Sequence, residues 1–85
     1  MGLAFVRIKR IDGGEYYQLV ESRRIEGKPR QKVLVHLGHY PTVDEALKAW
    51  PREVGRLRRD GYEKAADALE EKLDRLRALR SEGKA

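Results

Sequence analysis

Residues 37–47, LGHYPTVDEAL, separate a part of the chain with strand patterns from a part with helix patterns. Gly38 and Pro41 interrupt regular structure. Thr42, followed three residues later by Glu45, has the form of a capping box, in which the two side chains bond backbone N–H groups at the start of a helix. The segment therefore predicts the end of a strand followed by the first turn of a helix.

Three runs upstream of this junction have the pattern of β-strands. They are residues 3–10, 15–25 and 30–37, where apolar residues alternate with basic ones or where aromatic and β-branched residues are enriched. Turn sequences separate them at residues 12–14 (Asp-Gly-Gly) and 26–29 (Glu-Gly-Lys-Pro). The upstream part predicts a three-stranded antiparallel meander. In its third strand, strict alternation puts Val33, Val35 and Leu37 on one face and Lys32, Leu34 and His36 on the other.

Apolar residues recur at helical spacing downstream of the junction. The first stripe predicts a helix packed on the sheet and consists of Ala46, Leu47, Trp50, Val54 and Leu57. Pro51 has no N–H to bond the Leu47 carbonyl, so we expect either a kink there or a new helix with Pro51 in its first turn. Asp60-Gly61 is expected to end this element.

A second amphipathic helix is predicted after Gly61. Its apolar residues follow the 4-3-4-3 spacing of a heptad seam: Tyr62, Ala66, Leu69, Leu73 and Leu76. The seam is too short for a stable isolated coiled coil. It either folds back on the preceding helix or pairs with the same helix of a second copy, and both alternatives stay open because so short a chain has little core.

The predicted fold class is α+β with the element order β-β-β-α-α. A three-stranded antiparallel sheet packs on a helix, and a second amphipathic helix follows. Residues 1–60 form the sheet and its packing helix. Residues 61–82 form the second helix, as part of the same domain or as a dimerisation element, and residues 83–85 are expected to be frayed.

The composition argues against several classes of protein. The 85-residue chain has no Cys, so it can form neither a disulfide nor a thiolate metal site, and its two histidines, His36 and His39, lack the partners of a zinc site. The longest run without charge, residues 33–43, is too short to span a membrane, and the N-terminus lacks a signal-peptide pattern. We expect a cytoplasmic protein without metal, cofactor or small-molecule substrate.

Catalytic residues are not indicated either. The two serines, Ser22 and Ser81, lie in a predicted strand and in the tail, without an activating base nearby in the pattern. Most carboxylates alternate with basic residues on helix faces, as in the pairs Glu71–Arg75 and Asp74–Arg77. The chain is therefore not expected to be an enzyme.

The positive charge is concentrated in the predicted sheet. Residues 1–40 contain eight basic and four acidic residues, whereas residues 61–85 contain six of each. Basic side chains that meet phosphates release counterions, and a small sheet can direct alternate side chains into a groove. The candidate nucleic-acid-binding residues are Arg7, Lys9, Arg23, Arg24, Lys28, Arg30, Lys32 and His36. These residues can form a single surface only if Arg7, Lys9, Arg30 and Lys32 lie on the sheet face opposite the helix.

Two motifs in the predicted sheet carry a family resemblance. Residues 16–24 read Tyr-x-x-Leu-Val-Glu-Ser-x-Arg, and residues 27–31 read Gly-Lys-x-Arg-Gln before a Leu-Gly ending at residues 37–38. Residues 4–38 resemble the N-terminal segment of DDE-class insertion-sequence transposases. No catalytic core follows, so the resemblance implies a DNA-associated front module and not transposition chemistry.

The junction itself carries a second resemblance. Its Leu-Gly-x-aromatic-x-Thr-x-x-Glu-Ala pattern is similar to the strand-to-helix junction of plant ethylene-response DNA-binding domains and of the arm-type domains of tyrosine integrases. Both are three-stranded sheets that are backed by a helix and that face DNA. The strand tryptophans of the plant domains are missing here, so their scheme of base contacts is not carried over. The analogy implies a DNA-facing set of Arg7, Lys9, Arg23, Arg30, Lys32 and His36.

Three functional hypotheses follow. The leading one is a small DNA-binding protein whose basic sheet contacts duplex DNA. The alternative is a protein-interaction or dimerisation module that acts through the heptad seam, including a homodimer. RNA binding is a third, because Tyr16, Tyr17 and Tyr40 could stack on bases.

Overall fold

The computed structural model describes residues 3–84, which form three strands and two helices. The strands are β1 (Leu3–Ile11), β2 (Gly14–Ile25) and β3 (Lys28–Gly38), and the helices are α1 (Val43–Arg59) and α2 (Glu63–Ser81). The strands form one antiparallel sheet in the order β1-β2-β3. The predicted α+β class and the β-β-β-α-α order are confirmed.

Both hairpins close through two-residue turns. Asp12 and Gly13 have φ of 48° and 79°, and Glu26 and Gly27 have φ of 53° and 79°. Positive φ at both central residues is the geometry of a type I′ turn, whose twist matches that of the two strands it joins. The turns are shorter than predicted, since Gly14 and residues 28–29 already belong to strands. A proline at position 29 is compatible with β3 because β3 is an edge strand.

Strand β3 departs from strict alternation at two points. Its pairing with β2 skips Leu34 and Leu37, so that two residues of β3 oppose one residue of β2 at each point. Such bulges let consecutive residues project to the same side. Leu34 and Val35 therefore both reach the core, whereas Val33 pairs with Val20. The predicted division of β3 into two faces is wrong at Lys32, Val33 and Leu34 for this reason.

Helix α1 begins where the capping pattern predicts. Thr42 is its N-cap, and the Thr42 Oγ1 atom accepts a hydrogen bond from the Glu45 N–H at 3.2 Å. The helix continues through Pro51, so the predicted break into two helices is wrong. Burial of Trp50 and Val54 on either side of Pro51 holds both halves of α1 against the protein, which offsets the hydrogen bond that proline removes.

Both helices end in a Schellman motif, in which a residue with positive φ follows the C-cap. In α1 this residue is Gly61 at φ 87°, and the Tyr62 N–H bonds the Leu57 carbonyl at 2.8 Å. In α2 it is Gly83 at φ 78°, and the Lys84 N–H bonds the Leu79 carbonyl at 2.9 Å. Gly83 and Lys84 thus complete a cap at the end of α2, fraying of residues 83–85 stays a prediction, and Ala85 lies outside the described residues.

The core lies between the sheet and both helices. Each part contributes three buried side chains to it: Leu19, Val35 and Leu37 from the sheet, Val43, Ala46 and Trp50 from α1, and Leu73, Leu76 and Leu79 from α2. Both helices therefore cover the sheet, whereas the apolar pattern predicts this role for the first helix. Because α2 supplies a third of this core, the chain itself buries much of the heptad seam.

The seam residues differ in their exposure. Ala66, Leu73 and Leu76 are buried, and Leu69 packs half-buried against the core. Tyr62, at the N-cap of α2, is 63% exposed. Docking of α2 within the chain is thus what the structure shows for the buried members, and pairing with a second copy stays a prediction.

Ion pairs join the two helices, and a side-chain hydrogen bond joins α2 to the sheet. Arg58 in α1 contacts Glu63, Asp67 and Glu70 at 2.9, 3.1 and 3.0 Å, and these contacts, led by the Glu70 hydrogen bond, raise the pKa of its guanidinium. The predicted pair Asp74–Arg77 is present at 3.9 Å. Arg75 is predicted to pair with Glu71, but it donates a hydrogen bond to the carbonyl of Leu34 at 3.0 Å. The bulged residue of β3 is therefore held by α2. Within residues 3–84, neither helix is long and apolar enough to cross a membrane.

Candidate nucleic-acid interface

One face of the sheet points away from both helices, and we call it the open face. Directly paired residues of antiparallel strands share a face, so the register assigns its members. Ala4 and Val6 pack on the core, and the residues that alternate with them therefore lie on the opposite side. The open face comprises Leu3, Phe5, Arg7, Lys9 and Ile11 of β1, Tyr16, Gln18, Val20, Ser22 and Arg24 of β2, and Pro29, Gln31, Val33 and His36 of β3.

A hydrogen-bonded polar cluster occupies the middle of the open face. The Arg7 Nε atom donates to Gln18 Oε1 at 3.0 Å, and Arg7 Nη1 donates to Gln31 Oε1. The amide of Gln18 lies 3.2 Å from His36 Nδ1. Gln18 is only 4% exposed, so its contacts fix the guanidinium of Arg7 in one orientation. A guanidinium has five N–H donors, and these two bonds leave three for a ligand.

Apolar side chains surround this cluster. Val20 is fully buried between its pairing partners Phe5 and Val33, and Phe5 itself is 40% exposed. Tyr16 packs its ring against the ring of His39, with centroids 5.4 Å apart. Exposed aromatic and apolar side chains next to a fixed arginine suit contact with sugars, thymine methyl groups or base edges. The open face thus combines charge, amide groups and apolar surface.

The predicted binding residues are divided between the two faces of the sheet. Arg7, Lys9, Arg24 and His36 lie on the open face. The remaining four lie on the side that faces the helices, and they are Arg23, Lys28, Arg30 and Lys32. The requirement that Arg30 and Lys32 share the open face with Arg7 and Lys9 is therefore not met. For Lys32 the cause is the bulge at Leu34, which reverses the side on which the preceding residues of β3 project.

Arg23, Lys28 and Arg30 nevertheless remain accessible because they lie in a protruding hairpin. Among the described residues, the pairing of β1 with β2 ends at Leu3 and Ser22, so residues 23–30 form a two-stranded ribbon that we call the hairpin arm. All of its residues are exposed. It carries four basic side chains and one acidic one, Glu26. A two-stranded β-ribbon has the width that the major groove of B-form DNA admits.

The hairpin arm places like charges directly opposite each other. Arg23 pairs with Arg30 across the two strands, and like-charged cross-strand neighbours repel. One acidic residue at the base of the arm reduces this repulsion, since the buried carboxylate of Glu21 accepts a hydrogen bond from Arg23 and lies 3.6 Å from Lys84 Nζ. The Arg23 hydrogen bond is the main reason why the pKa of Glu21 is lowered. Arg24, Lys28 and Arg30 form no ion pair within residues 3–84.

The histidines and carboxylates of the described residues lie apart from one another. Nowhere in residues 3–84 do three or more His, Asp or Glu side chains come together as a metal site would require. His36 contacts Gln18 and His39 contacts Tyr16, so the two histidines have separate partners.

The comparison with known protein families identifies the chain. Residues 5–83, which span all three strands and both helices, match the family described as IS1634 family transposase, N-terminal domain. The chain belongs to this transposase family. No curated protein and no solved structure matches it. The predicted resemblance to the N-terminal segment of insertion-sequence transposases is confirmed, and the match extends beyond residues 4–38 to include both helices.

Within this transposase N-terminal domain, the sequence pattern missed the residues that organise the open face. Gln18 and Gln31 carry no charge, so the concentration of basic residues does not select them, although both lie within the stretches that carry the family resemblance. The signal that could have found them was the pairing register, since Gln18 lies opposite Arg7 in the predicted first hairpin. Gln31 joins the same cluster from β3, and the register of the second hairpin assigns it to the open face by pairing it with Ser22.

Proposed function

We propose that this transposase N-terminal domain binds duplex DNA through the open face of its sheet, with the hairpin arm contacting an adjacent part of the duplex. The observation that supports this most directly is the cluster of Arg7, Gln18, Gln31 and His36 on a face that neither helix covers. Arginine and glutamine are the side chains that best match guanine and adenine edges in the major groove. Membership of a transposase family agrees with a DNA ligand.

In this proposal, the basic residues of the open face and those of the hairpin arm have different roles. Arg7 is fixed by its neighbours and suits a geometrically defined contact, whereas Arg24, Lys28 and Arg30 are exposed and suit phosphates. Phosphate contacts give affinity without sequence preference, and each one contributes about −0.9 to the slope of log K against log salt. With four to six contacts, the slope should be about −4 to −5.

The proposal is tested by fluorescence anisotropy with a labelled duplex of mixed sequence at several salt concentrations. Wild-type protein is compared with the double variant Arg7→Gln, Lys9→Gln and with a control of equal charge change, Lys64→Gln, Arg77→Gln, on exposed positions of α2. We expect the open-face variant to lose about tenfold or more in affinity, with a slope closer to zero by about 1 to 2. The control should bind like wild type.

Two results would reject this assignment. One is the absence of wild-type binding at low salt. The other is an equal loss for both double variants, because that would trace binding to the overall charge of the protein and not to the open face. Competition of the labelled duplex by single-stranded RNA separates the DNA proposal from RNA binding, which would require the RNA to compete more strongly than unlabelled duplex.

We also propose that this domain binds and does not catalyse. The support is the state of its buried carboxylate, since Glu21 is engaged by Arg23 and Lys84. A carboxylate held ionised by two basic partners is a poor general acid at neutral pH. The cytoplasm remains the predicted compartment.

A further inference from the structure

A second basic surface runs along the outer side of α1, away from the sheet. It consists of Lys48, Arg52, Arg56 and Arg59, which we call the helix stripe. At 100° per residue, these positions fall within about 80° of one another around the helix. The buried residues of α1, among them Ala46, Trp50 and Val54, occupy the opposite side. The helix stripe therefore faces solvent, and all four of its side chains are exposed.

The stripe differs from the neighbouring Arg58 in forming no ion pair among the described residues, although Glu45 and Glu53 lie near it along the helix. Among the ion pairs of the described residues, none involves Lys48, Arg52, Arg56 or Arg59. Arg58, only one residue from Arg59, contacts three carboxylates of the neighbouring helix. Like charges four residues apart destabilise a helix, so the spacing of Lys48, Arg52 and Arg56 is unfavourable for folding alone.

The helix dipole explains only one end of the stripe. Arg56 and Arg59 lie in the last turn of α1, where basic side chains are favourable. Lys48 and Arg52 lie in the middle of the helix, where the dipole has no such effect. Glu53, the residue after Arg52, accepts a hydrogen bond from the Tyr40 hydroxyl and forms no ion pair among the described residues. Lys48 and Arg52 are thus stabilised neither by the dipole nor by an ion pair among the described residues.

The surface around the stripe has room for phosphate groups. One shallow groove of about 480 Å³ is lined by Tyr40, Lys48 and Arg52, together with Glu45, Ala49 and Glu53. A second, of about 230 Å³, is lined by Arg52, Glu53, Arg56 and Arg59. The stripe spans about 16 Å at a rise of 1.5 Å per residue, and it contains no exposed large apolar side chain. A linear polyanion matches this arrangement.

We propose that the helix stripe is a second duplex-DNA contact surface, so that one domain can hold two DNA segments, one on the open face and one on α1. The choice of DNA as the ligand rests on the proposed function. A membrane surface fits less well, because an interfacial helix needs exposed apolar residues beside its charges and those of α1 are buried. An acidic protein would need apolar anchors that the stripe lacks.

The test is native mass spectrometry of the domain with an excess of short duplex at low salt. This measurement separates a complex of one chain with two duplexes from a complex of two chains with two duplexes. We expect wild-type protein to form the complex of one chain with two duplexes. The double variant Arg52→Gln, Arg56→Gln should reduce its population at least tenfold and leave the one-to-one complex intact, while the control Lys64→Gln, Arg77→Gln should leave both complexes unchanged.

The remaining outcomes distinguish this inference from the proposed function. Absence of the complex with two duplexes, or its persistence in the Arg52→Gln, Arg56→Gln variant, overturns the inference. Loss of the one-to-one complex in that variant, with no effect of Arg7→Gln, Lys9→Gln, moves DNA binding to the stripe and rejects the open face. Binding to phosphatidylserine vesicles that depends on the stripe, without the two-duplex complex, would assign the stripe to membranes and overturn it.

Discussion

At the scale of single residues, Glu21 shows how a buried charge is tolerated in a small domain. Its side chain is almost fully enclosed, and two basic groups from different parts of the chain meet it there, Arg23 of β2 and Lys84 after α2. Enclosing a carboxylate without partners would raise its pKa, whereas the hydrogen bond from Arg23 outweighs that effect and lowers it. Glu21 thereby links the base of the hairpin arm to the end of the last helix.

The lowered pKa predicts how stability depends on pH. A carboxyl group with a lower pKa in the folded than in the unfolded state stabilises the protein above its unfolded pKa, and this contribution is lost as the pH falls through the folded pKa. We expect Glu21→Gln to lower the free energy of unfolding at pH 7, and the difference from wild type to shrink as the pH falls below the ordinary glutamate range, about 4.3.

Urea unfolding at a series of pH values measures this dependence. Glu15→Gln is the matched control, because Glu15 and its partner Arg10, 3.4 Å away, are both exposed, and the loss of an exposed ion pair should change stability little at any pH. A difference between wild type and Glu21→Gln that stays constant from pH 7 to pH 3 would contradict the argument.

At the scale of elements, glycine favours the fold in the hairpin turns and disfavours it inside helix α1. Gly27 has φ of 79°, a conformation that other residues adopt at a cost, and it closes the hairpin arm. Gly55 lies inside α1, exposed, and no neighbouring atom lies within 4 Å of where a Cβ would be. The same substitution should therefore have opposite effects at these two positions.

We expect Gly27→Ala to lower the free energy of unfolding by about 1 kcal/mol and Gly55→Ala to raise it by up to about 1 kcal/mol. Chemical denaturation followed by circular dichroism measures both changes under the same conditions. Gly55 has no charge, so its substitution also leaves the helix stripe as it is. The same sign for both variants would show that the turn geometry of residues 26–27 is not what makes glycine necessary.

The elements also show which features the sequence could predict. Turn dipeptides, the Thr42 cap and the glycine after Asp60 act through local backbone preferences, and each one correctly located an element boundary. The bulges in β3 depend instead on how Leu34 and Leu37 fit the core, which involves both helices. That is why the face occupied by Lys32 was predicted wrongly while Arg7 and Lys9 were placed together correctly. Strict alternation from Val35 likewise puts Gln31 on the face toward the helices, whereas its pairing with Ser22 puts it on the open face with Arg7.

At the scale of the whole molecule, the heptad seam acts mainly as the third layer of a small core. Leu76 is fully buried between the sheet and α1, whereas Tyr62 at the other end of the seam is largely exposed. A seam that served only to join two copies would leave its residues exposed in one chain. Here the chain itself covers Ala66, Leu73 and Leu76, and only the Tyr62 end remains accessible.

This arrangement predicts different effects at the two ends of the seam. Leu76→Ala should lower the free energy of unfolding by about 2–5 kcal/mol because it leaves a cavity in the core. Tyr62→Ala should change it by less than about 0.5 kcal/mol, as exposed positions usually do. Denaturant unfolding gives both values, and sedimentation velocity gives the mass in solution. A fall in mass caused by Tyr62→Ala would instead support the predicted homodimer, with the exposed end of the seam as its contact.

The hairpin arm has a thermodynamic consequence for any ligand that it contacts. Among residues 3–84, no strand pairs with the ribbon beyond Ser22 and all of its residues are exposed, and an isolated two-stranded hairpin is only marginally stable in water. Its backbone amides should therefore exchange with solvent much faster than those of the three-stranded region. When the arm settles against a ligand, the conformational entropy that it loses is subtracted from the affinity that its four positive charges provide. The same flexibility lets the arm adapt its shape to the ligand, because a ribbon that can twist freely can follow grooves of different widths.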